Sequence, residues 1–229
     1  LELGWYASKA AYATSLQELL KEQTHLNQNF SKLNFCIDSN SNVLMPTERA
    51  TEDFDAALYL NSHNVADIVL QNQISSLSLS NIYSVPYPLH EAFPEGWTFK
   101  PIHLKTLFLN NLADDKGRGN ITLNIMNDHI NVIVSRGNKL LIAQSYRFSS
   151  PDDVLFYLLK ICETHDLQQR EVVLKISGLI DRDSSLYKAL YKYFLIIEFE
   201  SASWKIKENN IDFAPHLFRT LNLLSLCES

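Results

Sequence analysis

Residues 120–179 carry the clearest alternation of apolar and polar positions in the chain. Residues 121–125 read Ile-Thr-Leu-Asn-Ile, the period-2 pattern of a half-buried strand. A turn at Asn127-Asp128 leads to residues 130–134, β-branched at four of five positions, and Arg136-Gly137-Asn138 turns the chain into a third strand over 139–146. Ser149 and Ser150 can accept the free amide hydrogens of a first helical turn, Pro151 fits its fixed φ, and Asp152-Asp153 suit the positive end of the helix dipole. The helix is predicted to run to about Thr164, with Val154, Leu155, Leu158, Leu159 and Cys162 on one buried face. Residues 172–176, Val-Val-Leu-Lys-Ile, are mostly apolar on both faces, as a central strand parallel to its neighbour is. The predicted order is strand, strand, strand, helix, strand.

Elsewhere the same patterns predict a strand over 1–6, a helix over 8–28 with Tyr12, Leu16, Leu19 and Leu20 on one stripe, and a strand over 33–37. Residues 48–60 read as an amphipathic helix capped by Thr47, with Phe54, Ala57 and Leu58 facing inward. Residues 67–74 and 77–85 form a hairpin turning at Ser75-Ser76 and ended by Pro86 and Pro88. A short strand over 97–101 and a helix over 102–113 precede the loop Asp114-Asp-Lys-Gly-Arg-Gly119, where the chain divides into halves of residues 1–116 and 117–229. Asp183 or Ser184 caps a helix whose Leu186, Ala189, Leu190, Tyr193 and Phe194 face the core. A strand over 196–200 and a helix over 215–226 complete the chain. There is no sequence repeat or low-complexity segment.

A chain of 229 residues buries about 70 to 75% of the surface it exposes when unfolded, so it needs no staples. Its three cysteines, Cys36, Cys162 and Cys227, are too scattered for a disulfide framework or a metal knuckle, which makes the cytoplasm the expected setting. No apolar run reaches the roughly 18 residues of a membrane span, and the start lacks the order of a signal peptide. Because the chain begins at Leu1 and not at methionine, an upstream piece is expected. A net charge of −6 argues against nucleic-acid and anionic-membrane partners.

The order of elements over 120–179 resembles the βββαβ half-domain of the ribonuclease H-like and actin-like ATPase superfamily. More narrowly, the run Ser145-Tyr-Arg-Phe-Ser-Ser-Pro-Asp-Asp-Val-Leu-Phe-Tyr-Leu-Leu-Lys160 resembles a bacterial family of unknown function whose members adopt an actin-like ATPase fold. The resemblance covers residues 120–199 well and the earlier half loosely. It implies a two-lobed α/β protein of actin-like, or ASKHA, architecture, each half built on a βββαβ mixed sheet. The first hairpin of the first half would then lie before Leu1.

The resemblance also implies where a nucleotide would sit. Actin-like ATPases hold phosphates in the first-hairpin turn of each half, where an Asp handles the metal and glycines let backbone amides approach the anion. Here the second such turn is Met126-Asn127-Asp128-His129, with a carboxylate and no glycine, and Asp128 is also what turn chemistry alone selects. The glycine pair that lies against adenosine is reduced to Ser177-Gly178-Leu179, whose single glycine also serves a tight strand-to-helix turn. Six glycines in the whole chain, where typical usage of about 7% gives about sixteen, disfavour a glycine-cradled site. Asn127, Asp128, Ser177, Gly178 and Leu179 are therefore the candidate vestigial nucleotide cleft, with no catalytic residue, metal ligand or cofactor expected.

Other chemistries fit less well. A ribonuclease H-like nuclease needs a carboxylate in the middle of the first strand, and the second half has Asn124 there. His25, His63, His90, His103, His129, His165 and His216 never pair with a carboxylate at metalloprotease spacing and read as surface or capping residues. Ser177 lacks the glycines of a nucleophile elbow. Tyr187, Tyr191, Lys188 and Lys192 fit an ordinary amphipathic helix, and the Asn120-Ile-Thr122 sequon opens a core strand. The function expected from the sequence is a non-catalytic cytoplasmic scaffold that binds a protein partner. The alternative is an ATPase or phosphotransferase that binds ATP and Mg²⁺ through a phosphate loop upstream of Leu1.

Overall fold

The computed structural model describes residues 12–23, 33–51, 55–60, 67–95, 97–98, 100–112, 117–203 and 214–227. The chain divides into two compact units, Leu1–Thr106 and Leu107–Ser229. The division falls ahead of the 114–119 loop that the sequence marks; residues 113–116 of that region lie outside the described residues, as does the strand expected over 1–6.

In the first unit α1 spans Tyr12–Glu22, inside the predicted helix, and buries Leu20. The strand expected over 33–37 is reduced to β1, Cys36–Ile37. Next comes β2, Asn42–Pro46, which the sequence did not signal. The expected hairpin forms as β3, Ile68–Ile74, and β4, Leu79–Val85, and with β2 it makes a three-stranded antiparallel sheet in the order β2-β4-β3. A 3-10 turn at Ser75–Leu77 followed by Ser78 in the left-handed region (φ 52°) reverses the chain.

Among the described residues the helix expected over 48–60 does not form. Thr47 donates its amide to Ser78 O of the hairpin turn (3.0 Å), so it is tied to the sheet and caps nothing. Thr47–Arg49 and Ala56–Leu58 are single 3-10 turns, and Leu58 is 76% exposed; Phe54 and the Ala57 side chain lie outside the described residues. Pro86 and Pro88 end β4 but also begin α2, Tyr87–Glu91, because a proline in a first turn has no amide to waste. The strand expected over 97–101 is displaced to β5, Ile102–His103, which pairs in parallel with β1, and α3, Leu104–Leu109, follows it.

A buried polar cluster joins these short elements. Lys105, 4% exposed, donates from Nζ to Asn42 Oδ1 (2.8 Å), Asn42 Nδ2 to Asn81 Oδ1 (3.1 Å), and Asn81 Nδ2 to Thr106 Oγ1 (3.0 Å). His103 is fully buried and not the surface or capping residue the sequence suggested. Its Nδ1 accepts from the Lys105 amide (3.0 Å), which leaves the proton on Nε2 to be donated to Ser39 O (2.8 Å). Burial pushes its pKa down to about 4 and that of Lys105 to about 8.

The second unit reproduces the predicted order. β6 (Asn120–Ile125), β7 (His129–Arg136) and β8 (Lys139–Arg147) form an antiparallel meander. Gly137 and Asn138, with φ of 55° and 62°, make the two-residue turn of positive φ that matches the twist of paired strands. α4, Pro151–Thr164, crosses over to β9, Val173–Gly178, which lies parallel to β6. α5, Ser185–Tyr191, leads to β10, Ile196–Phe199, parallel to β9, and the sheet order is β10-β9-β6-β7-β8. A 3-10 turn, Pro215–Phe218, and α6, Arg219–Ser225, close the unit, where one helix was expected.

One face of this sheet presents Ile121, Leu123, Ile125, Leu174 and Ile176 to Val154, Leu158 and Cys162 of α4 and Leu186 and Leu190 of α5. Each such side chain contributes about 1.5–3 kcal/mol relative to exposure. The other face is covered as well, so that all six positions of β6 are buried, not the expected half. α5 stops before Tyr193, which is 48% exposed, and Phe194 takes the core position. His216 is also buried, its Nε2 bonded to Ile180 O.

Two outcomes test these contacts. Ser150 Oγ accepts from the Asp153 amide (3.3 Å) while Asp153 Oδ2 accepts from the amides of Ser149 (2.8 Å) and Ser150 (2.9 Å). Ser150→Ala is expected to destabilise the chain by about 1 kcal/mol in urea unfolding. His103 takes a proton near pH 6.5 when unfolded and only near 4 when folded, so stability present above 6.5 is lost as the pH falls from 6.5 towards 4. Urea unfolding across that window is expected to show the loss, and His103→Asn to flatten it.

Candidate functional site

The parallel register of β6 and β9 sets Ile125 beside Gly178. The Met126–His129 turn and the Ser177-Gly178-Leu179 segment therefore share one end of two adjacent central strands. All five residues singled out from the sequence meet at the carboxyl ends of parallel strands, where open α/β sheets bind ligands.

The local geometry accounts for each residue. Gly178 has φ +85°, and a Cβ on it would stand 2.1 Å from Ile125 O and 2.9 Å from Ile125 N. The glycine is required by the closeness of two strands. Leu179 donates its amide to Ile125 O (2.8 Å) and Ile180 donates to Gly178 O (2.9 Å). Across the turn Met126 N donates to His129 O (2.9 Å), and Phe148 N donates to Asp128 O (3.2 Å). Neither Asn127 nor Asp128 has a positive φ. An anion-binding nest needs successive amides turned inward by a left-handed residue, and this turn has none.

Asp128 is the carboxylate at this end. Its Oδ1 receives His129 Nδ1 at 2.8 Å, and its own amide also bonds it. The His129 hydrogen bond, more than any other contact, holds the Asp128 carboxyl below its ordinary value. Among the described residues no group of three or more His, Cys, Asp or Glu side chains is placed to hold a metal ion.

A row of polar side chains that sequence reasoning missed crosses the sheet beside this turn. Asn124 stands opposite Ser177 on one side and Asn131 on the other, and Asn131 stands opposite Ser145. Asn124 Nδ2 donates to Ser177 Oγ (3.2 Å), and Ser145 Oγ donates to Asn131 Oδ1 (2.6 Å). Asn124 Oδ1 is buried with no hydrogen-bond partner among the described residues, a cost of about 1–3 kcal/mol for a protein acceptor taken from water. The available signal was the uncharged polar residue at alternate positions of both central strands, which reads as a solvent-facing side until the covering elements are known.

The comparisons with known proteins bear on the fold that carries this site. Residues 4–197 match the model of the family described as protein of unknown function (DUF3822). The chain belongs to this family. A crystal structure from Bacteroides thetaiotaomicron VPI-5482, described as a protein with actin-like ATPase fold and unknown function, superposes with a TM-score of 0.76 at 18% identity, over 97% of this chain and 84% of that one. The PilM-PilN type IV pilus biogenesis complex contains a chain that matches with a TM-score of 0.54 at 16% identity, over 98% of this chain and 87% of that one. No protein of curated function matches the sequence. This DUF3822 chain thus has the actin-like ATPase fold implied by the run from Ser145 to Lys160. Among its described residues no helix is long and apolar enough to cross a membrane.

Because the Ile125 backbone fills the space beside Gly178, Gly178→Ala is expected to cost about 3 kcal/mol or more. Asp128→Asn, at a side chain 65% exposed, is expected to stay within about 0.5 kcal/mol of the parent. Urea unfolding of both variants separates a glycine that closes the sheet from a carboxylate that does not.

Proposed function

We propose that this chain is a non-catalytic interaction module, an actin-like fold whose nucleotide position is vestigial and whose ligand is another protein. The observation that carries the reading is the state of the backbone amides at the β6 and β9 strand ends. Met126, Leu179 and Ile180 spend their N–H groups on internal carbonyls, and Asp128 bonds its own carboxylate, so the groups that cradle phosphate in a glycine-rich loop are engaged within the chain. Asn127, Asp128, Ser177, Gly178 and Leu179 keep the position of a nucleotide cleft but serve the turn and the sheet.

Two further observations favour a protein as partner. PilM, which has the same fold, is found in a complex with PilN. The net charge of −6 disfavours the phosphate backbone of nucleic acid. Cys36, Cys162 and Cys227 form no disulfide with one another, and burial pushes the Cys162 thiol up to about 11, a set suited to a reducing cytoplasm.

Calorimetric titration of the chain with ATP and Mg²⁺ tests the reading. No saturable heat is expected up to roughly millimolar nucleotide, the weak end of ordinary affinities. Saturable heat would overturn the proposal and restore the ATPase alternative. Its loss in Asp128→Asn, a variant expected to fold normally, would place the phosphates at the β6–β7 turn.

A further inference from the structure

The five-stranded sheet ends on two edge strands, β10 and β8, which differ in length. β10 has four residues and offers another strand little to pair with, whereas β8 has nine and bonds only to β7. Phe148 N donates to Asp128 O (3.2 Å), and bonded and unbonded pairs alternate along an antiparallel ladder, so Tyr146, Gln144 and Ile142 turn their amides towards β7. Ala143, Ser145 and Arg147 turn theirs the other way, and those amides and carbonyls meet no partner among the described residues.

Proteins shield such an edge with proline, with charge or with a bulge. β8 begins with Lys139 and a register shift beside Val134 and Ser135, but from Ile142 to Arg147 its ladder is regular and holds neither proline nor glycine. α4 reaches this edge from one side. Tyr157 stacks on Tyr146 of β8, with ring centroids 4.6 Å apart and 19° between planes, and the neighbouring Phe156 is 64% exposed. An open edge strand beside a helix with aromatic side chains suits an extended peptide, whose backbone bonds give affinity and whose alternate side chains give specificity.

Charge selects the kind of strand. Residues 129–147 include Arg136, Lys139 and Arg147 and no Asp or Glu, in a chain of net charge −6. Of the flanking carboxylates, Asp128 acts on Arg147 but is bonded by His129 Nδ1, Asp153 is bonded by the Ser149 and Ser150 amides, and Asp152 is exposed. Lys139 makes no ion pair among the described residues. A second copy of the chain is disfavoured. Two β8 strands paired antiparallel about Ala143 would set Lys139 opposite Arg147 at both ends, and like charges directly opposite are destabilising.

We propose that the β8 edge binds an extended acidic segment of a partner protein, added to the sheet as a further strand. Its backbone pairs with Ala143, Ser145 and Arg147, its carboxylates lie near Lys139 and Arg147, and its apolar side chains pack on Tyr157 and Phe156. The inference rests on the reading of the chain as a protein-binding module and supplies the surface and the chemistry of the partner.

The test is a nuclear magnetic resonance titration of the whole chain with two synthetic peptides that share the core Val-Thr-Val-Thr-Val-Thr, one flanked at both ends by Glu-Glu and the other by Lys-Lys. Saturable shifts and slowed hydrogen exchange of the Ala143, Ser145 and Arg147 amides are expected with the glutamate peptide up to roughly millimolar concentration, and weaker binding of the lysine peptide. Ala143→Pro removes an outward amide and no bond to β7, and is expected to abolish the shifts, with urea unfolding to check that the variant folds. Lys139→Glu, at an exposed position, is expected to weaken the glutamate peptide about threefold, and Lys192→Glu, exposed just beyond α5, to leave it unchanged. Where Ala143→Pro does not fold, Lys139→Glu decides. The proposal is overturned by the absence of saturable shifts at these amides, by equal binding of the two peptides, or by protection that grows with protein concentration without peptide, the mark of a second copy. Saturable heat with ATP would overturn the module reading instead, so the two failures are distinct.

Discussion

The parallel ladder between β6 and β9 fixes the geometry on which the second unit depends. It runs from Asn120 opposite Val173 to Ile125 opposite Gly178, and it can form only if the chain returns from β8 to start a strand in the same direction as β6. α4 makes that return. Its fourteen residues span about 21 Å at 1.5 Å per residue, close to the roughly 20 Å of six strand residues. The capping box at Ser150 and Asp153 sets where the helix begins, and the helix in turn sets which side of the sheet receives Val154, Leu158 and Cys162. At the far end of the ladder the strands approach so closely that only glycine fits at 178.

That closeness separates two roles glycine plays in actin-like folds. A glycine that admits a nucleotide leaves open space where a Cβ would be. Gly178 has the Ile125 carbonyl there, and the amides of Leu179 and Ile180 that follow it are bonded within the chain. Glycine at 178 is thus required by the approach of β9 to β6. Asp128 follows the same logic, because its carboxylate is held by His129 and its own amide at the turn.

The parts of the fold legible in the sequence were those governed by neighbours along the chain. The meander, the Gly137-Asn138 turn and α4 with its Ser150 cap follow from periodicity and from side chains that bond their own segment. The misread parts answer to distant partners. Residues 42–46 are a strand because β4 is available to pair with them, and Thr47 is diverted from a helix by Ser78, thirty-one residues away (78 − 47). Tyr193 has the helical spacing of a core residue, but α5 ends at Tyr191 and Phe194 is delivered to the core by the turn that follows. His103 gave no signal at all, since its burial depends on Ser39 and the Lys105 backbone supplying both of its hydrogen bonds.

The candidate sites divide in the same way. Asp128 and Gly178 could be found because both residue types mark turns in a sequence, although what requires glycine at 178 is the Ile125 backbone across the ladder. The second face of the sheet could not, because Asn120, Thr122, Asn124, Asn131 and Ser135 alternate with apolar residues as solvent-facing positions do. What distinguishes them from a wet surface is burial, and burial of an amide or hydroxyl is tolerable only when a partner meets it. Asn124 reaches Ser177 across fifty-three positions, and Arg219 is brought to Lys175 by a C-terminal segment that no local pattern connects to β9. A face assembled from such separations has no motif, and its polar atoms are reconciled with burial by one another or by water. At Arg219 Nε the described residues supply no acceptor, and the cost of that burial is carried by the packing around it.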